Sequence, residues 1–149
     1  MSNKKRVLFL CTGNSARSQM AEGLLRQMAG DKFDVFSAGT HPKGLHPRSV
    51  EAMKEAGIDI AHQQSKDVSV YNNQTFDYVI TVCDHAAEAC PVFPGRAERI
   101  LWSFPDPAAA VGGDMEKLAA FRMVRDAIEE RLRGWVGEST LSSEDRSTS

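Results

Sequence analysis

The sequence lacks the features of a membrane, secreted or nucleic-acid-binding protein. No apolar run approaches the roughly 20 residues that a helix needs to cross a bilayer, and the N-terminus shows neither the apolar core nor the cleavage site of a signal peptide. Lysine and arginine number 18 against 20 aspartate and glutamate, which leaves a net charge of −2. That balance gives no overall attraction to nucleic acid or to an anionic membrane surface. We therefore expect a cytoplasmic protein with neither kind of partner, in which any anion site is local.

Cysteine is also scarce, and its pattern does not suggest structural disulfides. The three cysteines are Cys11, Cys83 and Cys90, an odd number in a chain without an export signal. A structural zinc site needs about four ligands, and only His85 lies between Cys83 and Cys90. We expect no metal and no organic cofactor. Cys83 and Cys90 are then either two buried, inert cysteines or reactive thiols.

The four histidines show no metal-like grouping either. Each histidine is expected to be a surface or loop residue rather than a catalyst: His41, His46, His62 and His85.

Strand and helix patterns alternate along a chain of 149 residues, the usual size of one domain. The predicted strands cover residues 6–10, 33–39, 77–82 and 99–102, and the predicted helices cover residues 18–29, 48–56 and 114–136. This order predicts a single-domain, three-layer α/β fold with a central, mainly parallel four-stranded sheet flanked by helices. Residues 1–136 form that domain. Residues 137–149 are polar, have almost nothing to bury, and are expected to be a mobile tail.

The segment between the first strand and the first helix has the composition of an anion site. Its backbone N–H groups can surround a tetrahedral oxyanion at a helix N-terminus, with curvature provided by Gly13. Arg17 can place two parallel hydrogen bonds on the anion, and the same positive field favours the thiolate of Cys11. The predicted oxyanion-binding residues after Cys11 are Thr12, Gly13, Asn14, Ser15, Ala16, Arg17 and Ser18. An anion site that contains a nucleophile suggests covalent phosphoryl-type transfer; the alternative is a core cysteine and a surface arginine.

Asp106 lies between Pro105 and Pro107 in a predicted loop over residues 103–113. Flanking prolines stiffen the backbone, and a carboxyl group held in this way is suited to give a proton to a departing oxygen. Asp106 is therefore a candidate general acid, and an ordinary turn residue is the alternative.

Residues 6–23, together with Ser37-Ala-Gly39 and Asp106-Pro107, resemble the low-molecular-weight protein tyrosine phosphatase family. The resemblance runs over about residues 4–136 and is closest to the thioredoxin-coupled arsenate reductase branch. It implies that Cys11 is the nucleophile, Arg17 the oxyanion clamp and Asp106 the general acid. Asn14 and Ser18 match positions that shape the loop and hydrogen-bond the thiolate.

Two features distinguish the branches of this family. Phosphatases that resemble this chain carry tyrosines after their Asp-Pro, whereas Ala108-Ala-Ala110 follows Pro107 here. Cys83 and Cys90 match the two resolving cysteines of the reductases.

The resemblance to the reductase branch implies a cytoplasmic, monomeric enzyme of arsenic detoxification that converts arsenate to arsenite. Phosphate or sulfate would bind in the loop as analogues of arsenate. The Cys11–arsenate adduct would pass to a Cys11–Cys83 disulfide and then to a Cys83–Cys90 disulfide, which thioredoxin reduces; glutaredoxin is a second candidate reductant. The alternatives are a tyrosine or small-molecule phosphatase with a Cys11 phosphocysteine intermediate, and a non-catalytic thiol sensor or anion-binding module.

Some relatives also bind potassium beside the loop, through residues that match Asn14, Glu22 and Ser37 and an aspartate that follows a serine. In this chain Lys66 follows Ser65. Because an ammonium repels a cation, the resemblance implies that Lys66 takes the place of potassium.

Overall fold

A computed structural model of the chain describes residues 4–84, 93 and 95–148, with side chains described as far as residue 138. The described part of the chain contains four strands, three α-helices and two short 3-10 helices, Val68–Tyr71 and Pro107–Ala109. The longer elements are β1 (Lys5–Cys11), α1 (Arg17–Ala29), β2 (Phe33–Gly39), α2 (Pro47–Glu55), β3 (Tyr78–Thr81), β4 (Glu98–Leu101) and α3 (Asp114–Thr148).

The sheet is parallel throughout, in the order β2-β1-β3-β4. β1 lies inside the sheet because its apolar run, residues 7–10, is fully buried and can pack on both faces. Leu10 of β1 is in register with Thr81 of β3, and Thr81 is in register with Leu101 of β4. The carboxyl ends of these strands therefore meet at one edge, and the segments that come after them begin there.

Alternate residues of β1 point into two separate cores. Val7 and Phe9 pack with apolar residues of all three α-helices. Leu8 and Leu10 belong to the second core, on the other face of the sheet, with Tyr71, Phe76 and Phe93. This alternation is the two-residue period of a strand. The predicted fold class, a single-domain α/β fold with a four-stranded parallel sheet flanked by helices, is confirmed.

The last helix is longer than predicted. Its apolar side is buried as expected, at Phe121, Val124, Ile128, Leu132 and Trp135, but α3 continues to Thr148 rather than ending at Val136. The predicted end is wrong because nothing after residue 136 breaks the helix: that segment has no proline, and the φ of Gly137 is not positive. A separate domain over residues 1–136 and the mobility of the tail stay predictions. Among the described helices, none combines the length and apolar composition needed to cross a membrane.

Candidate active site

The loop between β1 and α1 places the predicted nucleophile and clamp at the two ends of one turn of backbone. Cys11 is the last residue of β1 and a free thiol, buried with 2% of its surface exposed. Arg17 is the first residue of α1 and is also buried. No side chain caps α1 at Ala16. The first backbone N–H groups of the helix are therefore not used by a side-chain cap, which suits an anion at this end.

The sharp curvature of this loop lies at Asn14 and not, as expected, at Gly13. Asn14 has a φ of 43°, in the left-handed region, whereas the φ of Gly13 is not positive. Asparagine tolerates this conformation better than most side chains. Its Oδ1 accepts hydrogen bonds from Lys66 N at 2.8 Å and from Gln19 Nε2 at 3.1 Å, so surrounding residues hold the strained turn.

A short chain of hydrogen bonds leads from Asn14 to the sulfur of Cys11. Asn14 Nδ2 donates to Ser18 Oγ at 2.7 Å, and Ser18 Oγ lies 2.9 Å from Cys11 Sγ. Either the Cys11 thiol or the Ser18 hydroxyl can donate in the second bond, and a thiolate at Cys11 could only accept.

Residues 40–46, which we call the strap, come after β2 and lie against the loop. Gly39 is required where they begin, since a Cβ there would lie 2.6 Å from the carbonyl oxygen of Thr12 and 2.8 Å from that of Cys11. Three backbone hydrogen bonds then join strap and loop, from His41 N to Thr12 O, Lys43 N to Gly13 O and His46 N to Ser15 O, at 2.9, 2.9 and 3.0 Å. The strap thereby forms a second wall beside the loop.

Loop, strap and the segment after β4 enclose a cavity of about 240 Å³. Its lining includes Cys11, Arg17, Lys43, His46, Asp106 and Ala108. The volume lies below the roughly 300–1,000 Å³ of drug-sized ligand sites, and the described residues that line it include no phenylalanine, tyrosine or tryptophan. Both features suit a small oxyanion better than an aryl ester.

Asp106 reaches this cavity from a fixed position. It precedes the 3-10 helix Pro107–Ala109, and its Oδ1 accepts a hydrogen bond from Ala108 N at 3.0 Å. Arg17 is tied to the same segment, because its Nη1 donates to the carbonyl oxygen of Phe104 at 3.2 Å. The structure thus brings the candidate nucleophile, clamp and acid to one cavity.

A wider groove of about 1040 Å³ lies between β4 and α3, lined by Trp102, Arg131 and Trp135 among others. It shares no described lining residue with the cavity at Cys11. The smaller cavity is the candidate site because it holds the thiol, the guanidinium and the carboxyl.

Cys83 is buried and lies two residues after Thr81, the last residue of β3, which is the strand next to β1. Val82 N donates to the carbonyl oxygen of Leu10 at 2.8 Å, so the chain that leads to Cys83 is still paired with β1 just before Cys11. Cys83 is disulfide-bonded, whereas Cys11 is free. Cys90 and His85 lie outside the described residues.

The cation beside Glu22 is Arg26 and not, as expected, Lys66. Glu22 is buried; its Oε2 accepts from Arg26 Nη2 at 2.6 Å, and its Oε1 accepts from Ser37 Oγ at 2.5 Å. The ammonium of Lys66 is exposed and donates instead to the carbonyl oxygen of Gln64 at 3.1 Å. Sequence order places a lysine after Ser65 but does not show which cation reaches Glu22. In the described part of the chain, no group of three or more His, Cys, Asp or Glu side chains is arranged to hold a metal.

Because the Arg26 guanidinium already pairs with Glu22, added potassium is expected to change stability and activity little. Melting curves in equal concentrations of potassium and sodium chloride should coincide, and Arg26→Gln should be less stable than the parent protein in sodium chloride. A potassium-specific rise in the melting temperature of the parent protein would contradict this interpretation.

Arg17→Lys is expected to weaken oxyanion binding by about tenfold to a hundredfold, because an ammonium cannot reproduce the planar pair of donors, and hydrogen bonds to a charged group contribute roughly 1.5–3 kcal/mol. Calorimetric titration with inorganic phosphate measures the effect. Arg122→Lys is the matched control, since Arg122 forms its ion pair with Glu55 between α2 and α3. Equal affinities in all three proteins would show that Arg17 does not hold the anion.

The sequence did not point to His46 and Lys43 as site residues, although both line the cavity. Pro47 signals the start of α2, but the backbone pairing of strap and loop is a contact between distant segments. No residue pattern in the strap predicts this pairing.

Fold and site together define an α/β protein with a candidate cysteine-based oxyanion site at the carboxyl edge of a parallel sheet. The family model described as low molecular weight phosphotyrosine protein phosphatase matches residues 6–147, and the chain belongs to this family. An arsenate reductase of Halalkalibacterium halodurans is 52% identical over 131 residues, which cover 88% of this chain and 94% of that protein.

Two solved structures are also similar. One is the thioredoxin-dependent arsenate reductase of Corynebacterium glutamicum, with a TM-score of 0.72 and 29% identity over 95% of this chain and 64% of that chain. The other is an arsenate reductase in a phosphate-binding state, with a TM-score of 0.69 and 32% identity over 90% of this chain and 98% of that chain.

Proposed function

We propose that the chain is a cytoplasmic, monomeric enzyme that reduces arsenate to arsenite by a relay of Cys11, Cys83 and Cys90, and that thioredoxin restores its thiols. The observation that carries the proposal is the state of the cysteines at the sheet edge. Cys11 is a free thiol in the anion cavity, and Cys83, two residues beyond the end of the neighbouring strand β3, is disulfide-bonded. A thiol beside a disulfide is the state expected at the end of such a relay.

The first step forms a sulfur–arsenic bond. The thiolate of Cys11 attacks arsenic while Arg17 and the loop amides hold the other oxygens. Asp106 protonates the departing hydroxide, which leaves as water. Arsenic remains in its oxidised state, bound to the Cys11 sulfur.

The second step transfers the electrons. The thiolate of Cys83 attacks the Cys11 sulfur, the sulfur–arsenic bond breaks, and its electron pair stays with arsenic, which departs as arsenite. Two thiols have supplied two electrons and become the Cys11–Cys83 disulfide.

The third step is a thiol–disulfide exchange. The thiolate of Cys90 attacks the Cys83 sulfur and releases the Cys11 thiolate, and thioredoxin then reduces the resulting Cys83–Cys90 disulfide.

Substrate and reductant each have separate support. The small cavity, whose described lining includes no phenylalanine, tyrosine or tryptophan, suits arsenate. Phosphate should bind there as an analogue, and a similar arsenate reductase has been solved in a phosphate-binding state. Thioredoxin is favoured because a structurally similar arsenate reductase depends on it. Glutaredoxin is the alternative reductant.

The second candidate function is a tyrosine or small-molecule phosphatase with a Cys11 phosphocysteine intermediate. The family match favours it, and so does the presence of Cys11, Arg17 and Asp106 around one cavity, because hydrolysis needs no further thiol. We expect slow phosphatase activity alongside arsenate reduction.

A single-turnover experiment tests the relay. Fully reduced enzyme mixed with excess arsenate and no reductant should yield one arsenite per chain and lose two thiols. Peptide mapping should then find Cys83 joined to Cys90 and Cys11 free. Formation of arsenite with all three thiols retained, or no arsenite at all, would contradict the relay.

A further inference from the structure

His46 is held by contacts on three sides in the wall of the anion cavity. Its backbone N–H donates to the Ser15 carbonyl oxygen at 3.0 Å, which joins it to the Cys11 loop. Its Nδ1 accepts from Arg48 N at 3.1 Å and caps the N-terminus of α2. Its ring packs on the buried ring of Phe121, with the centroids 4.7 Å apart. The imidazole therefore has a defined position and not the freedom of a surface side chain.

The cap at Nδ1 determines what the other ring nitrogen can do. A neutral imidazole has one acceptor and one donor nitrogen, so the proton lies on Nε2 while Nδ1 accepts from Arg48 N. Burial and the nearby charge of Arg48 lower the pKa of His46, against the opposing effect of Asp106. The lowered pKa favours the neutral imidazole, in which the Nε2–H can only donate.

We propose that His46 is a specificity-determining substrate contact, whose Nε2–H donates to the oxygen of a free tetrahedral oxyanion that lies opposite the Cys11 sulfur. In-line attack places the departing oxygen on that side, and Asp106 and His46 both line the cavity that holds Cys11. In a free oxyanion this oxygen carries at most a hydrogen and can accept. In an ester it carries a carbon substituent that would compete for the same space, so the contact favours free oxyanions. The proposal rests on the assignment of Cys11 as nucleophile in the proposed function.

The test compares two ligands of similar size, inorganic phosphate and methylphosphonate, in which a methyl group replaces one oxygen. His46→Ser keeps a side-chain cap for α2 but removes the Nε2–H. We expect its Kd for phosphate to rise about tenfold, the loss of roughly one hydrogen bond to a charged group, and its Kd for methylphosphonate to change less than about twofold. Calorimetric titration measures both constants.

His41→Ser is the matched control on the strap. The His41 side chain contacts Thr40 Oγ1 and is not among the cavity residues, and its link to the loop is through backbone atoms. Both Kd values should be unchanged in this variant. His46→Asn, which also keeps a side-chain cap for α2, replaces His46→Ser if the serine variant fails to fold. Urea unfolding measures the stability of each variant.

The proposal would be overturned if His46→Ser raised the Kd values for both ligands equally, or raised neither. A purely structural role of His46 would not distinguish phosphate from methylphosphonate. Failure of the parent protein to bind phosphate would overturn it as well. The measurement needs no arsenate chemistry. If the His46→Ser effect is confined to phosphate as expected but the parent protein reduces no arsenate, the proposed function would be contradicted. The proposed role of His46 would still be supported.

Discussion

Cys11→Ser is expected to abolish both arsenate reduction and phosphate ester hydrolysis, with a loss on the order of 10⁴-fold or more in turnover. A serine hydroxyl is almost wholly protonated at neutral pH, whereas the Cys11 sulfur lies 2.9 Å from the Ser18 hydroxyl in a loop suited to negative charge. Arsenite release and hydrolysis of p-nitrophenyl phosphate measure the two activities.

Phosphate binding is the control for this variant. Loop amides and Arg17 remain in Cys11→Ser, so its Kd for phosphate should stay within a few-fold of that of the parent protein. Appreciable turnover of either substrate by a correctly folded Cys11→Ser protein would remove Cys11 from the mechanism.

Cys83→Ser and Cys90→Ser should each stop thioredoxin-coupled arsenate turnover and leave slow aryl phosphate hydrolysis largely intact. Hydrolysis needs an attacking thiolate and a proton donor, both supplied at the cavity, whereas reduction also needs further thiols to deliver electrons. The ratio of the two activities in each variant is the measurement.

The two variants should also stop at different points. Without Cys83 the reaction should end at the Cys11–arsenic adduct, detected as added mass on the Cys11 peptide. Without Cys90 it should release one arsenite per chain and leave a Cys11–Cys83 disulfide. Multiple thioredoxin-driven turnovers by both variants would rule out the three-thiol relay.

Features set by local sequence could be predicted, and those set by contacts between distant segments could not. The buried run of β1, the helix after it and the stiff Pro-Asp-Pro segment are local, and parallel strands bring the segments at their carboxyl ends to one edge of the sheet. The sequence therefore predicted that Cys11, Arg17 and Asp106 form one site, and the structure brings them to one cavity. It predicted Cys83 at the same edge of the sheet. Their chemical roles stay predictions.

The remaining details depend on tertiary contacts. The left-handed turn falls on Asn14 because Lys66 and Gln19 hold its side chain, and neither contact is visible in the order of residues. Pairing of strap and loop brings His46 into the cavity for the same reason. The ion pair of Arg26 with Glu22 is an exception, because it is a local i, i+4 contact within α1 that helical spacing allowed but did not single out.

Arsenate-dependent oxidation of NADPH, with thioredoxin and thioredoxin reductase supplied, tests the proposed function most directly. We predict sustained turnover with one NADPH consumed for each arsenite formed, and a parallel assay with a glutaredoxin system identifies the preferred reductant. No arsenate-dependent oxidation with either system, together with efficient hydrolysis of phosphotyrosine, would contradict arsenate reduction and establish the phosphatase alternative.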